Sequence, residues 1–124
     1  MIERIAEMPE GTIGFAFSGE VTPADYEETL IPPIRAAIEN EEEIRCLCLL
    51  GPEFEGYEAG AVWEDLKAGA KFGFGSLSSW RRTALVTDVD WIRHATALFG
   101  WLSPGELKLF PTDQLARAKE WVAG

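Results

Sequence analysis

Cysteine and histidine, the side chains most often used to bind metals or to act as nucleophile and base, are scarce in this chain. Its 124 residues include two cysteines, Cys46 and Cys48, and one histidine, His94. The cysteines lack the second pair that a zinc site needs, and same-face residues of a strand lie too far apart for an easy disulfide. We therefore expect reduced, buried cysteines, no metal and no other cofactor. Without an arranged nucleophile and base, the sequence predicts that the protein is not an enzyme.

One segment, Lys71–Arg82, does combine residue types suited to binding, because it interleaves glycines, aromatic side chains and cations. In one interpretation it is a lid or an interfacial anchor, with its rings in an apolar medium and its cations against anionic head groups. Those cations are Lys71, Arg81 and Arg82. In the other interpretation Phe72, Leu77 and Trp80 pack onto the core and the arginines are solvated.

The charge and composition of the chain limit its class and its partners. It carries a formal net charge of −10, and residues 1–62 hold 14 acidic and 3 basic side chains. Nucleic acid binding needs a basic surface, so we expect no nucleic acid partner. The length and the 47% apolar content predict one folded domain over residues 1–124. The sequence shows neither a secretory signal nor a membrane-spanning run, which predicts a cytoplasmic protein, free or peripheral to the membrane.

Apolar runs predict five strands. Turn formers over Pro9–Thr12 separate the first two, which predicts an antiparallel hairpin. The third is a short apolar run, as in a central strand buried on both faces, and Gly51–Gly56 after it is predicted to be a loop. The five predicted strands are Ile2–Met8, Ile13–Val21, Ile44–Leu50, Thr83–Val89 and Glu106–Phe110.

Four helices are predicted between and after these strands. The first begins with Thr22 as N-cap, Pro23 in the first turn and Asp25 as the acid of a capping box. A kink or break is expected at Leu30–Pro33, because proline removes a helical hydrogen bond. The inward stripe of this helix is Tyr26, Leu30, Ile34 and Ile38. The second helix is predicted over Tyr57–Lys71, and the caps expected for the last two are Asp88 or Asp90 and Thr112 or Asp113.

The order β-β-α-β-α-β-α-β-α predicts an α/β fold with a single mixed sheet, in which an antiparallel N-terminal hairpin is followed by parallel strands, and about four helices. This order and the residues that fill it resemble the STAS-like (SpoIIAA-like) superfamily, and within it a bacterial branch that shares features with CRAL-TRIO lipid-binding domains. The resemblance covers nearly the whole chain. It is carried most by Trp80–Asp88, Trp91, Glu106–Phe110, Ala118 and Trp121–Val122.

The resemblance implies a binding function rather than catalysis. The best-known STAS proteins are anti-sigma-factor antagonists, switched by phosphorylation of a serine in the loop after a central strand. The corresponding segment here, Gly51–Glu58, contains no serine or threonine and already carries carboxylates. This departure argues against a phosphorylation switch and leaves an acidic segment that could dock a protein partner.

Our leading prediction is a non-enzymatic module that binds an apolar small molecule, a lipid or a membrane surface. The alternative is a protein–protein regulatory module of the anti-sigma-antagonist type that lacks the phosphorylatable serine. The first requires a concave apolar site, and the second requires an exposed acidic surface. The residues predicted to line the apolar site are Phe54, Tyr57, Trp63, Phe72, Phe74, Leu77 and Trp80.

Overall fold

A computed structural model describes residues 1–57, 80–90, 92–94 and 105–124. The strands in these ranges are β1 (Ile2–Arg4), β2 (Ile13–Val21), β3 (Ile44–Tyr57), β4 (Trp80–Thr87) and β5 (Glu106–Phe110). The helices are α1 (Pro23–Asp25), a π-helical turn (Tyr26–Leu30), α2 (Ile31–Glu39), a 3-10 turn (Thr112–Gln114) and α3 (Leu115–Ala123). Residues 90 and 92–94 are also helical. The helix predicted over Tyr57–Lys71 lies outside the described residues except for Tyr57, which ends β3.

The five strands form one sheet in the order β1-β2-β3-β4-β5. The pairing of β1 with β2 is antiparallel, and every later pairing is parallel. The α/β fold class, the antiparallel hairpin and the central pair of β3 and β4 are therefore confirmed. Cys48 marks the middle of the sheet, because it lies opposite Phe15 on one side and Leu85 on the other.

The bounds of three strands differ from the prediction. The first is shorter and ends at Arg4. The fourth begins three residues early, at Trp80, and ends at Thr87. The third continues to Tyr57, so the prediction of a loop over Gly51–Gly56 is wrong. Its register against β2 shifts twice beyond Phe17, and such bulges absorb residues that would otherwise break a regular ladder.

The capping box predicted for the first helix is confirmed. The Thr22 hydroxyl accepts a hydrogen bond from the Asp25 N–H at 3.3 Å, and the Asp25 carboxylate accepts one from the Thr22 N–H at 2.8 Å. Pro23 lies in the first turn, as expected. Because both flanking donors are satisfied, the chain turns sharply out of β2 into the helix.

The proline pair interrupts the first helix as a π-helical turn. The Ile31 N–H bonds to the Tyr26 carbonyl, five residues back instead of four. Pro32 and Pro33 have no N–H to donate, so the wider turn falls where regular bonding would already fail. Because the π-helical turn holds one more residue than an α-helical turn, it changes which side chains of the first helix face the sheet. The fully buried members are now Tyr26, Ile31, Ile34 and Ala37, while Leu30 and Ile38 are half-buried.

The sheet has a core on each face. On one face the π-helical turn and α2 pack against β1, β2 and β3, and we call this the α2-side core. On the other face α3 packs against β3, β4 and β5, and we call this the α3-side core. Alternation along β3 separates the two: Ile44, Cys46 and Leu50 belong to the α2-side core, and Leu47 to the α3-side core.

The cap predicted for the last helix is not formed by Thr112 or Asp113, whereas the helix after Asp88 and Asp90 lies mostly outside the described residues. Thr112 starts the 3-10 turn, and neither that turn nor α3 has a side-chain cap. The Thr112 N–H and hydroxyl both donate to the Asp88 carboxylate. The Val89 N–H bonds to the Thr87 hydroxyl. Asp88 therefore ties the end of β4 to the segment after β5.

Candidate functional site

The structure describes only part of the predicted apolar site. Phe54 and Trp80 are described with their side chains, and Tyr57 by its backbone only. The other predicted site residues lie outside the described residues: Trp63, Lys71, Phe72, Phe74 and Leu77.

Phe54 and Trp80 lie at opposite ends of the sheet. Trp80 is opposite Ile44, the first residue of β3, and Phe54 lies ten residues further along that strand. At about 3.3 Å per residue, the two positions are roughly 30 Å apart. Both side chains pack against the α2-side core. The structure thus brings neither into contact with the other, and Phe54 and Tyr57 share the carboxyl edge of the parallel strands without Trp80.

A bulge at the start of β4 decides where Trp80 points. Ile44 is opposite Trp80, whereas the next residue, Arg45, is opposite Arg82. The extra residue, Arg81, lets Trp80 face the α2-side core while Arg82 faces α3. Trp80 is half-buried there and belongs to a strand, not to a loop. This is the arrangement of the second interpretation of its segment, in which Trp80 packs onto the core.

Arg82, predicted to contact head groups, holds the carboxyl end of α3. Its Nη1 donates to the Trp121 carbonyl at 2.6 Å, and its guanidinium lies 5.0 Å from the centre of the Trp121 ring. Its Nε is 3.8 Å from a carboxylate oxygen of Glu106. Arg45 supports the same helix end by donating to the Val122 carbonyl at 3.2 Å. Cations at this position satisfy terminal carbonyls and complement the helix dipole.

Arg81, the other described head-group candidate, is exposed and pairs with Glu43. Its Nε lies 3.1 Å from a Glu43 carboxylate oxygen, and Arg45 approaches the other oxygen at 3.5 Å. The hydrogen bond from Arg81 is the main reason why the pKa of Glu43 lies below its usual value. Both described head-group candidates, Arg81 and Arg82, therefore have acidic partners within the chain. The sequence did contain a signal for the pairing of Arg81 with Glu43. Glu43 immediately precedes β3, and the register places it beside the start of β4.

The carboxyl edge has the most irregular backbone of the described sheet. We call the segments Gly19–Val21 and Gly51–Tyr57 the carboxyl ribbon. In it Gly19 is opposite Phe54, Glu20 is opposite Gly56, and the register shifts on either side of Gly19. Gly19 has a positive φ of 58°, and a β-carbon there would lie 3.6 Å from a Glu55 carboxylate oxygen. Bulges of this kind re-aim side chains and are common beside functional sites.

The described side chains of the carboxyl ribbon include the fully buried Val21, a half-buried aromatic ring and several exposed groups. Phe54 is half-buried against the α2-side core, whereas Glu20, Pro52 and Glu55 are exposed. β4 ends opposite Leu50, so the ribbon extends past it. The ribbon thus combines one anchored aromatic ring with exposed carboxylates, which suits binding better than general acid–base chemistry.

Two carboxylates near this edge are held in their ionised form. Hydrogen bonds from Thr112 lower the pKa of Asp88. At Asp25 burial acts to raise the pKa, but the hydrogen bonds from Thr22 contribute to an opposing effect that is larger, and the pKa is lowered. Each carboxylate is thus used to join segments of the chain. His94 is exposed on the helical turn after β4.

Within residues 1–57, 80–90, 92–94 and 105–124, no three or more His, Cys, Asp or Glu side chains converge as a metal site would require. In the same part of the chain, no helix has the length and apolar character needed to cross a bilayer.

Comparison with known proteins identifies the fold family. A family model described as SpoIIAA-like matches residues 12–123. A crystal structure of an uncharacterized protein from the DUF3478 family of Shewanella loihica PV-4, described as having a SpoIIAA-like fold, is similar at a TM-score of 0.75 and 28% sequence identity. The alignment covers 98% of this chain and 93% of that one. No curated protein sequence matches.

Proposed function

The chain belongs to the SpoIIAA-like family, and from that premise we propose that it is a non-enzymatic module that binds an apolar small molecule, such as a lipid, at the carboxyl ribbon. A shared fold supports many functions, so the proposal rests on the site and not on the family. In open α/β sheets, ligands enter outside the carboxyl ends of the strands. The ribbon lies at that edge.

Phe54 is the observation that carries the proposal. Its ring packs on the α2-side core and is still partly exposed, at the end of a strand that continues past its neighbour. An aromatic ring held in this way can form one wall of an apolar site without rearrangement of the core. Tyr57, three residues further along the same strand, is the second candidate for that wall.

The membrane-surface form of the function has weaker support. Arg81 and Arg82 were the described candidates for head-group contact, and each is paired with a carboxylate. The net charge of −10 would also repel an anionic bilayer. A soluble apolar ligand requires neither arginine, which is why we favour it.

A titration with Nile red, an uncharged apolar dye, tests the proposal. Phe54→Ala should weaken dye binding by about 10- to 150-fold, since loss of an aromatic contact is worth about 1.5–3 kcal/mol. Trp80→Ala is the matched control, because Trp80 is also a half-buried ring on the α2-side core but lies at the other end of the sheet. The control should lower the melting temperature and leave dye affinity within about twofold. Equal effects of the two variants on affinity, or no effect of either, would contradict the proposal.

Native mass spectrometry of the protein purified from its own host would name the ligand. A co-purified apolar molecule that is lost in Phe54→Ala and kept in Trp80→Ala would support the proposal. If native protein carries a ligand that both variants keep, the binding site is elsewhere.

The exposed carboxylates favour a second candidate, a regulatory module that docks a cationic protein partner. Glu20 and Glu55 are both exposed on the carboxyl ribbon. The charge reversals Glu20→Lys and Glu55→Lys should then abolish cross-linking to a partner in host cells and leave Nile red binding unchanged. Loss of dye binding with intact cross-linking would favour the apolar ligand instead.

A further inference from the structure

The strand β5 lies at one side of the sheet, and its outer backbone faces away from β4. Among the described residues, no strand pairs with β5 on that outer side. A strand in this position presents a row of N–H and C=O groups that can pair with a strand of another chain. The strand at the opposite side of the sheet, β1, has three residues, against five in β5. We call Glu106–Phe110 the β5 edge.

The β5 edge carries charged side chains on one face and leucines on the other. Lys108 lies opposite Ala84, a member of the α3-side core, so Lys108 and Glu106 belong to the α3-side face of the sheet. Both of these side chains are exposed. Leu107 and Leu109 alternate with them and are half-buried on the opposite face. Since α3 packs mainly against β3 and β4, a neighbouring strand can reach both charges.

We propose that the β5 edge pairs with the β5 edge of a second copy of this chain, antiparallel, about a two-fold axis at Leu107. In this register Glu106 of each copy lies opposite Lys108 of the other, and the two Leu107 side chains face each other. Two ion pairs then form on one face of the joined sheet and an apolar contact on the other. A register centred on Lys108 would oppose two ammonium groups, and one centred on Glu106 would oppose two carboxylates. The sequence Glu-Leu-Lys is therefore complementary to itself about its leucine.

The contacts that the two charges make within the chain are compatible with these pairs. Lys108 Nζ lies 5.3 Å from the centre of the Phe110 ring and 5.9 Å from that of Trp121. These described contacts are with aromatic rings, so a carboxylate from a second copy would displace no acid from the ammonium group. The Glu106 side chain is 69% exposed, and its carboxylate lies 3.8 Å from Arg82 Nε. Arg82 keeps its hydrogen bond to the Trp121 carbonyl if Glu106 turns towards a second copy.

The distribution of charge along the chain favours the β5 edge over the other side of the sheet. Residues 1–62, which supply β1, β2, α2 and β3, hold 14 acidic and 3 basic side chains. Residues 63–124, which supply β4, β5 and α3, hold 7 acidic and 8 basic side chains. Repulsion between two copies is therefore weaker at the β5 edge than beside β1. Because a five-residue pairing is small, we expect a reversible dimer with a dissociation constant of about 10–100 μM. This inference does not rest on the function proposed for the carboxyl ribbon.

Sedimentation equilibrium of the native chain, from about 5 μM to about 1 mM, measures the association. Lys108→Glu and Glu106→Lys each convert two attractive pairs into repulsive ones, so each should weaken dimerisation at least about tenfold. Both side chains are exposed, so each variant should keep a cooperative thermal transition. The two substitutions combined re-form the pairs with reversed polarity and should restore the native dissociation constant within about threefold.

A cysteine placed at the two-fold axis tests the register itself. Leu107→Cys brings the α-carbons of the two copies to about 4.5–5.5 Å, a distance that suits a disulfide, so mild oxidation should cross-link them. Leu109→Cys is the matched control, because its counterpart would lie four residues along the strand, about 13 Å away. The inference is overturned if the native chain stays monomeric at about 1 mM, or if the combined charge variant dissociates as the single variants do. It is also overturned if either single variant dimerises as the native chain does, or if Leu109→Cys cross-links as readily as Leu107→Cys.

Discussion

The substitution Gly105→Ala tests how tightly β5 is seated against the bulge of β4. Gly105 precedes β5 and has a φ of 73°, a conformation that residues with a β-carbon avoid. A β-carbon at this position would lie 2.8 Å from the Trp80 carbonyl oxygen and 2.9 Å from that of Arg81. Both neighbours are backbone atoms of a paired strand, so neither can rotate away. The alanine must therefore displace β4 or β5.

The expected cost has two parts. The left-handed conformation costs about 1–2 kcal/mol with a β-carbon, and overpacking costs about 1–3 kcal/mol. The free energy of unfolding should therefore fall by about 2–5 kcal/mol, a large share of the 5–15 kcal/mol usual for a domain. Gly11→Ala measures the first part alone, and the difference between the two variants gives the second. Gly11 has a φ of 82° but no atom within 4 Å of its would-be β-carbon, so only the conformational cost applies.

Urea denaturation of the native chain and of both variants measures this difference. Alanine reduces the entropy of the unfolded chain equally at the two positions, so that effect cancels in the comparison. We expect the midpoint to fall more for Gly105→Ala, with little change in slope. If Gly105→Ala costs no more than Gly11→Ala, the close approach of β5 to the β4 bulge is refuted.

Two further predictions concern the charged contacts. Arg82→Met should lower the free energy of unfolding by about 1–3 kcal/mol, because it removes a charged hydrogen bond to the end of α3. Arg81→Met removes an exposed ion pair with Glu43 and should cost at most about 1 kcal/mol in the same urea assay, so equal losses would contradict the assignment. The pKa of Asp88 is lowered on folding, so its stabilising effect is present above about pH 4 and is lost as the pH falls through the folded pKa. Melting temperatures of the native chain and Asp88→Asn should accordingly differ at pH 6 and converge as the pH falls through the folded pKa of Asp88, and a gap independent of pH would exclude this origin.

The sheet was predictable from the sequence because the residue types in its strands are typical of β-strands. The run at Ile44–Leu50 has apolar residues on both faces, and the structure places it between two parallel neighbours with a core on each side. The antiparallel hairpin followed from a short run of turn formers. In both cases the prediction depends on only a few consecutive residues. Local patterns of apolar and turn-forming residues are informative over that range.

Features that depend on contacts between distant segments were missed. Gly51, Pro52 and Glu53 have the composition of a turn, yet pairing with β2 keeps them in a bulged strand. The proline pair predicted a break, but the one-residue shift of the buried stripe depends on which hydrogen bonds the widened turn keeps. Arg82 looks like a surface cation in sequence, and its role emerges only when α3 returns to it from 39 residues further on.

The two edges of the sheet differ in whether a ligand could contact their charged side chains without breaking contacts that stabilise the fold. At the amino edge, a ligand that recruited Arg82 would leave the Trp121 carbonyl at the end of α3 without its donor, at a cost of about 1–3 kcal/mol. Recruiting Arg81 would separate it from Glu43, whose other partner is Arg45, itself bonded to the end of α3. Anion binding there is thus coupled to loosening of α3. At the carboxyl edge Glu20 and Glu55 are exposed, and Phe54 is already anchored, so a ligand can bind without dismantling the fold. This asymmetry is the physical reason to seek the ligand at the carboxyl ribbon.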